Sequence, residues 1–293
     1  MKNWMSKISD DRMITSVTIP GTHDSSCRYI DFAFISKTQN LTIAQQLEIG
    51  VRYFDFRFKF DGNKFIANHS IASCHKKYGF WSEHLTADDV VSCCKKFLRE
   101  NPSETILFQL KEAASCTGES FFTSFYEKYI SNFKDDWYLE NRIPSIGEIR
   151  GKIVLLRVVG ADSKVFNDSN SGINFSLYPY VGSTFVDDWR TSEIKSLNTD
   201  TIVSHMFVQD SYKVEGSKKW STIKRFLDSQ MNALNFNICL MSCTRFRVPM
   251  INSKYINIKF LQTEFNINKL YGIIVADYIT DEISSKIIKL NGI

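Results

Sequence analysis

Eight short runs of apolar, β-branched and aromatic residues recur from one end of the chain to the other, and several are almost continuously apolar. They are "MITSVTIPG", "RYFDFRFKF", "KFIANHS", "TILFQLK", "KIVLLRVV", "TIVSHMFVQ", "FNICLMSC" and "YGIIVADYI". A strand reads this way when both its faces are covered, as in a parallel sheet packed under helices. Helical patterns fall between them: "TIAQQLEIG", "TADDVVSCCKKFLREN" with Thr86 as N-cap and Asp88 and Asp89 in its first turn, "SIGEIRG" closing on Gly151, and "SKKWSTIKRFLDSQMNAL". No stretch rich in Pro, Gly and Ser divides the chain. The alternation therefore predicts one α/β unit over residues 1–293, a single distorted (β/α)8 barrel of the TIM type, rather than two domains. Residues 166–176, "FNDSNSGINFS", read as a long polar loop.

Composition limits what such a barrel can do. With 43% hydrophobic residues, including 23 Phe and 12 Tyr, the chain can fill a large core and is not disordered. A net charge of +4, scattered along the sequence, predicts no nucleic-acid partner and permits weak attraction to anionic lipid. Seven Cys, an odd number without a CxxC pair, argue against a disulfide framework; Cys93, Cys94, Cys239 and Cys243 read as small buried residues, with zinc as the remote alternative. No apolar run approaches the roughly 18–20 residues of a spanning helix, and "MKNWMSKISDD" lacks a signal peptide's apolar core. A cytoplasmic chain and a trimmed secreted one both stay open, and a monomer is expected.

Barrel chemistry gathers where strands end and the following loops begin. His23 and Asp24 end the first run, Arg57 lies near the end of the second, His69 ends the third and Lys111 the fourth. Arg157 lies in the fifth, Asp210 follows the sixth and Asp277 sits near the end of the eighth. Each alone has an ordinary reading: Asp24 as a turn acceptor, Arg57 as a surface cation, His69 as a loop imidazole, Lys111 as a strand-end charge. Together, two imidazoles, three cations and three carboxylates at matching strand ends point to one pocket. Imidazoles with ordinary pKa values near 6.5 serve as base and acid at neutral pH, and a cation between them stabilises an anion. That set suits phosphodiester cleavage by an internal hydroxyl, with no metal or other cofactor.

The same motifs carry a resemblance. "WMSKISDDRMITSVTIPGTHDSS" resembles the start of the bacterial phosphatidylinositol-specific phospholipase C catalytic domain, and "GVRYFDFRFKF", "FLRENPSETILFQLKE", "RGKIVLLR", "VQDSYKV" and "GIIVADYITDE" are similar to later segments of that family, in family order. The resemblance implies a distorted TIM barrel that cleaves phosphatidylinositol in membranes, with glycosylated anchors as possible further substrates, to diacylglycerol and inositol 1,2-cyclic phosphate. It implies His23 as general base with Asp277 orienting it, His69 as general acid supported by Asp24, and Arg57 at the phosphate. Lys111, Asp210 and Tyr212 match positions around the inositol ring. Arg157 stands one place from the family's ring-binding arginine, with Val158 at the matching site, and is carried as a further ring contact. "HSIASCHKKYGF" lacks the usual glycine after the acid histidine, so His75 competes with His69. Calcium-dependent relatives place carboxylates around the second strand; Arg57 there implies independence of metal. The aromatics of "YIDFAFI" and "YGFWSEHL" fit either a bilayer contact or ordinary core. A lipid-binding barrel without catalysis and a metal-dependent glycerophosphodiesterase are the competing readings.

Overall fold

The computed structural model describes residues 1–79, 81–113, 118–179, 189–244 and 248–293. Its strands are β1 (Ile19–Thr22), β2 (Tyr53–Phe60), β3 (Phe65–His69), β4 (Ala72–Ser73), β5 (Ile106–Glu112), β6 (Trp137–Tyr138), β7 (Ile153–Arg157), β8 (Ile173–Asn174), β9 (Arg190–Lys195), β10 (Ile202–Gln209), β11 (Phe236–Leu240) and β12 (Ile273–Ala276). The α-helices are α1 (Ala33–Ser36), α2 (Ile43–Glu48), α3 (Ala87–Glu100), α4 (Glu119–Tyr129), α5 (Ile146–Ile149), α6 (Gly216–Asp228), α7 (Pro249–Gln262) and α8 (Asp281–Lys289). The sheet runs β6-β7-β5-β2-β1-β12-β11-β10-β9, with β8 also on β7, and every neighbouring pair on this path is parallel except β9 with β10. It curls into a distorted barrel.

Strand alternation creates two cores. In β2 the phenylalanines Phe54, Phe56 and Phe58 point outward into a core shared with Val90 and Phe97 of α3 and Phe121 and Phe125 of α4. Each such ring contributes about 1.5–3 kcal/mol by leaving water. Tyr53, on the opposite face, joins Ile19, Leu107, Val154, Val208, Ile238 and Val275 inside the barrel. The N-terminal segment plugs the end away from the C-terminal strand ends: Trp4 and Met5 join the inner core, and Arg52 and Glu104, both fully buried, pair at 2.7 Å beside them. The N-cap expected at Thr86 forms, since its amide donates to Asp89 Oδ2 at 3.0 Å and its hydroxyl accepts from the Asp89 amide.

Among the differences from the sequence expectation, three bear on how the barrel closes. The third run is not a barrel strand: β3 folds back antiparallel on β2, with Phe58 opposite Ala67. The polar loop at 166–176 contains β8, two buried residues that continue the wrap beyond β7. Between β7 and β10 no α-helix intervenes among the described residues. No ladder joins β8 to β9 there either; side chains bridge that seam, Asn174 Nδ2 and Asn141 Nδ2 donating to the Lys195 carbonyl at 3.0 and 2.9 Å. Polar residues that made 166–176 look like a loop thus serve the closure.

Candidate active site

Inward positions change character along each strand. The inner face reads Ile19 and Gly21 in β1, then His23; Tyr53, Asp55 and Arg57 in β2; Leu107, Gln109 and Lys111 in β5; Ile273 and Val275 in β12, then Asp277. Apolar residues fill the barrel and polar ones take over at its C-terminal mouth. Gly21 makes room for this: a Cβ there would sit 2.8 Å from the Tyr53 ring. Tyr53 can therefore cross the interior and donate its hydroxyl to Gln109 Oε1 at 2.6 Å, and Gln109 Nε2 in turn donates to Asp55 Oδ1 at 3.1 Å.

Asp24 is the hub of the mouth. Its Oδ2 lies 3.2 Å from His23 Nε2 and 3.4 Å from His69 Nε2, while its Oδ1 lies 2.8 Å from Arg57 Nε. His23 Nδ1 meets Asp277 Oδ1 at 2.8 Å. Arg57 also reaches Asp55 Oδ2 at 2.7 Å, and Lys111 Nζ lies 3.2 Å from Asp55 Oδ1 and 4.5 Å above the Tyr178 ring. Asp24 and Asp277 are sealed, with side chains 0% and 2% exposed, whereas His23, Arg57 and His69 keep 16%, 21% and 28%. Three of the four non-glycine residues with positive φ among those described, Asp24, Ser70 and Tyr278, directly follow His23, His69 and Asp277. Such strained backbone persists only where surroundings hold it. Here Thr38 does so, donating its hydroxyl to the Asp24 carbonyl at 3.0 Å and accepting the Tyr278 amide at its own carbonyl at 2.6 Å.

Charges in the cluster set one another. Burial disfavours a charged His23 ring, but the Asp24 and Asp277 carboxylates outweigh it and raise its pKa to about 9. Burial likewise pushes the Asp24 and Asp55 carboxyls up; Arg57 with the two imidazoles for Asp24, and Arg57 with Lys111 for Asp55, reverse this and hold both below the usual range. Ligand atoms of His23, Asp24 and Asp55 lie within 4.8 Å of one another, as in a cation site. The Arg57 guanidinium, however, already stands against both carboxylates, so a hard divalent ion between them would have to displace it.

The structure thus brings His23, Asp24, Arg57, His69, Asp277 and Lys111 together. His69 arrives on the β2–β3 hairpin rather than at the end of a barrel strand. Asp210 follows β10 and is half-buried; burial raises its carboxyl pKa against the pull of Lys219, Lys111 and His23. Tyr212 is half-buried, its carbonyl accepting the Thr244 amide at 2.8 Å. Arg157 is a correction. It shares the outward face of β7 with Ile153 and Leu155, is fully buried, and donates to the Ser171 carbonyl at 3.0 Å and the Val159 carbonyl at 2.5 Å, its guanidinium 5.4 Å from the Phe122 ring centroid. Strand parity, one place out of step, turns it into the helix layer. His75 lies apart, against Asp31 and Ser82. Asp55 and Gln109 are site residues that strand ends alone do not mark, although each stands two residues before a cation on the same inward face. Tyr178 and Thr38 left no local signal.

Comparison with known proteins gives a family model, "Phosphatidylinositol-specific phospholipase C, X domain", that matches residues 19–158. The 1-phosphatidylinositol phosphodiesterase of Listeria monocytogenes is 30% identical over 207 residues, 67% of this chain and 60% of that protein. The enzyme of the same name from Staphylococcus aureus strain Newman is 29% identical over 238 residues, 77% of this chain and 69% of its own. A solved S. aureus phosphatidylinositol-specific phospholipase C, one concerned with modulation of membrane binding, superposes with a TM-score of 0.77 at 25% identity, covering 99% of this chain and 97% of that one.

Proposed function

Since this chain belongs to the phosphatidylinositol-specific phospholipase C X-domain family, we propose that it cleaves phosphatidylinositol in bilayers to diacylglycerol and inositol 1,2-cyclic phosphate, by acid-base catalysis between His23 and His69. One observation carries this reading: both imidazoles and Arg57 converge on the buried Asp24, with Asp277 on the far nitrogen of His23. Asp277 accepts from His23 Nδ1–H, which fixes the tautomer, and in the neutral fraction of the ring Nε2, 3.2 Å from Asp24 Oδ2, is the nitrogen that takes the proton. The inositol 2-oxygen attacks phosphorus as its proton passes to His23 Nε2. The bond from phosphorus to the diacylglycerol oxygen breaks, and His69 supplies that oxygen with a proton. Arg57 balances charge building on the phosphoryl oxygens, and Asp24 holds Arg57 and His69 in register. Lys111, Asp210 and Tyr212 are the candidates for the ring hydroxyls.

Arg57 fills the electrostatic place of a divalent ion in this scheme. Activity on phosphatidylinositol vesicles should accordingly persist in excess chelator. Complete loss, restored by adding calcium, contradicts the assignment.

The bilayer contact falls to the rim beside the mouth. Phe32, Phe34 and Ile35 at α1 and Ile71, Tyr78 and Trp81 around β4 are exposed, Trp81 to 91%. Apolar tips of this kind at a lipase mouth enter the headgroup boundary. All but Ile71 fall in the aromatic stretches noted in sequence; Phe80, in the second of them, lies outside the described residues. Among the described residues no helix is long and apolar enough to cross a membrane.

A further inference from the structure

Behind that rim, a second group of titratable side chains is held by backbone and takes no part in the reaction above. His75 and His84 face each other across an isolated antiparallel bridge. The flanking hydrogen bonds run from the Lys76 amide to the Glu83 carbonyl at 3.0 Å and from the Leu85 amide to the Cys74 carbonyl at 2.9 Å. The histidines are therefore a non-hydrogen-bonded pair, the kind with the shorter separation, and their side chains share a face. Their ring centroids are 5.1 Å apart. Residues 29–31 run alongside, the His75 amide donating to the Tyr29 carbonyl at 2.6 Å and the Asp31 amide to the Ser73 carbonyl at 3.1 Å. The Ser73 amide donates to Asp31 Oδ2 at 3.1 Å, which aims Oδ1 at His75 Nε2, 2.9 Å away.

The proton positions make this contact informative. His75 Nδ1 lies 3.2 Å from the Ser82 carbonyl oxygen, which only accepts, so the hydrogen is assigned to Nδ1. A neutral ring then turns its Nε2 lone pair directly on the Asp31 carboxylate. An imidazole nitrogen and a carboxylate oxygen 2.9 Å apart are two ligand atoms that one cation can share. A backbone carbonyl accepting from the other ring nitrogen is also the support that metal-bound histidines use. The adjacent cation, Lys76, is held by Glu83 and Asp89 at 3.1 and 3.0 Å.

We propose that His75 Nε2, Asp31 Oδ1 and a ring nitrogen of His84 bind one divalent ion of the zinc class. Zinc takes imidazole and carboxylate ligands at about 2.0–2.2 Å and completes three protein ligands with water. Two of the three are already side by side. His84 is exposed, its ring centroid 5.1 Å from that of His75, and its side chain must turn to offer the third. The ion ties the segment leading into α1 to the 75–84 loop, and so braces Phe32 and Phe34 against Tyr78 and Trp81. It neither touches nor replaces the His23–Asp24–Asp55 group.

Titration calorimetry of the tag-free full chain with zinc chloride tests this. One saturable site is expected, weakened at least about tenfold in each of His75→Ala, His84→Ala and Asp31→Asn, and unchanged in His23→Ala. Zinc should also raise the melting temperature of the parent chain but not of His75→Ala or His84→Ala, whose melting without zinc should match the parent. Absence of saturable binding below about 1 mM overturns the proposal, as does binding abolished by His23→Ala and retained in His75→Ala.

Discussion

Replacing Asp277 by asparagine lowers turnover on phosphatidylinositol vesicles by about 100-fold or more, while vesicle binding stays at the parent level. Asparagine keeps the shape of the side chain but removes the charge held 2.8 Å from His23 Nδ1. Two effects follow. The ring loses a partner that can only accept, since the amide can present its NH2 donor and stabilise the other tautomer, and the imidazolium formed as the 2-hydroxyl proton arrives loses a buried counter-charge. The titration of His23 moves as well: Asp277 is one of two carboxylates raising its pKa to about 9, so the variant's His23, followed by NMR of its ring protons, should titrate lower. A raised folded-state pKa stabilises the fold fully below the unfolded value of about 6.5 and loses that contribution as pH rises through about 9; in Asp277→Asn the loss should be smaller and finish at lower pH. Binding should be spared if the bilayer contact is the proposed one, through the exposed rim at Phe34 and Trp81. Full turnover in the variant, or binding and turnover lost in parallel, removes Asp277 as the partner of a catalytic His23.

The two histidines should fail in different ways. His69→Ala should recover most of its lost rate on an inositol phosphodiester whose leaving group departs without a proton, and His23→Ala should recover none, because deprotonation of the 2-hydroxyl is needed whatever leaves. The structure sharpens this test, since Asp24 touches Nε2 of both rings. Asp24→Asn should therefore depress both substrates, sitting with the base as well as the acid. Equal recovery in His69→Ala and His23→Ala rules out the division of labour.

Much of this site could be read from strand ends because a parallel barrel imposes a rule: inward parity is apolar at depth and polar at the mouth. His23, Arg57, Lys111 and Asp277 obey it, and Asp55 and Gln109 would have followed had parity been applied one step further down β2 and β5. The rule breaks where the chain leaves the barrel. β3 and β9 are antiparallel to their neighbours and β8 is only two residues long, and the seam between β8 and β9 depends on partners far apart in sequence, Asn141 and Asn174 with the Lys195 carbonyl. Arg157 shows the converse failure, in which the right residue type at a strand end was placed one position out of phase and so turned into the helix layer. Side chains such as Thr38, which fixes the backbone beside both Asp24 and Asp277, are legible only after folding.

Phosphorus NMR of a phosphatidylinositol digest run in excess chelator decides whether an internal hydroxyl, rather than water, displaces diacylglycerol. With the internal hydroxyl as nucleophile, the first phosphorus product is the five-membered cyclic phosphodiester, accumulating before any monoester. A monoester as the first product, or a reaction that waits for a divalent ion, contradicts it.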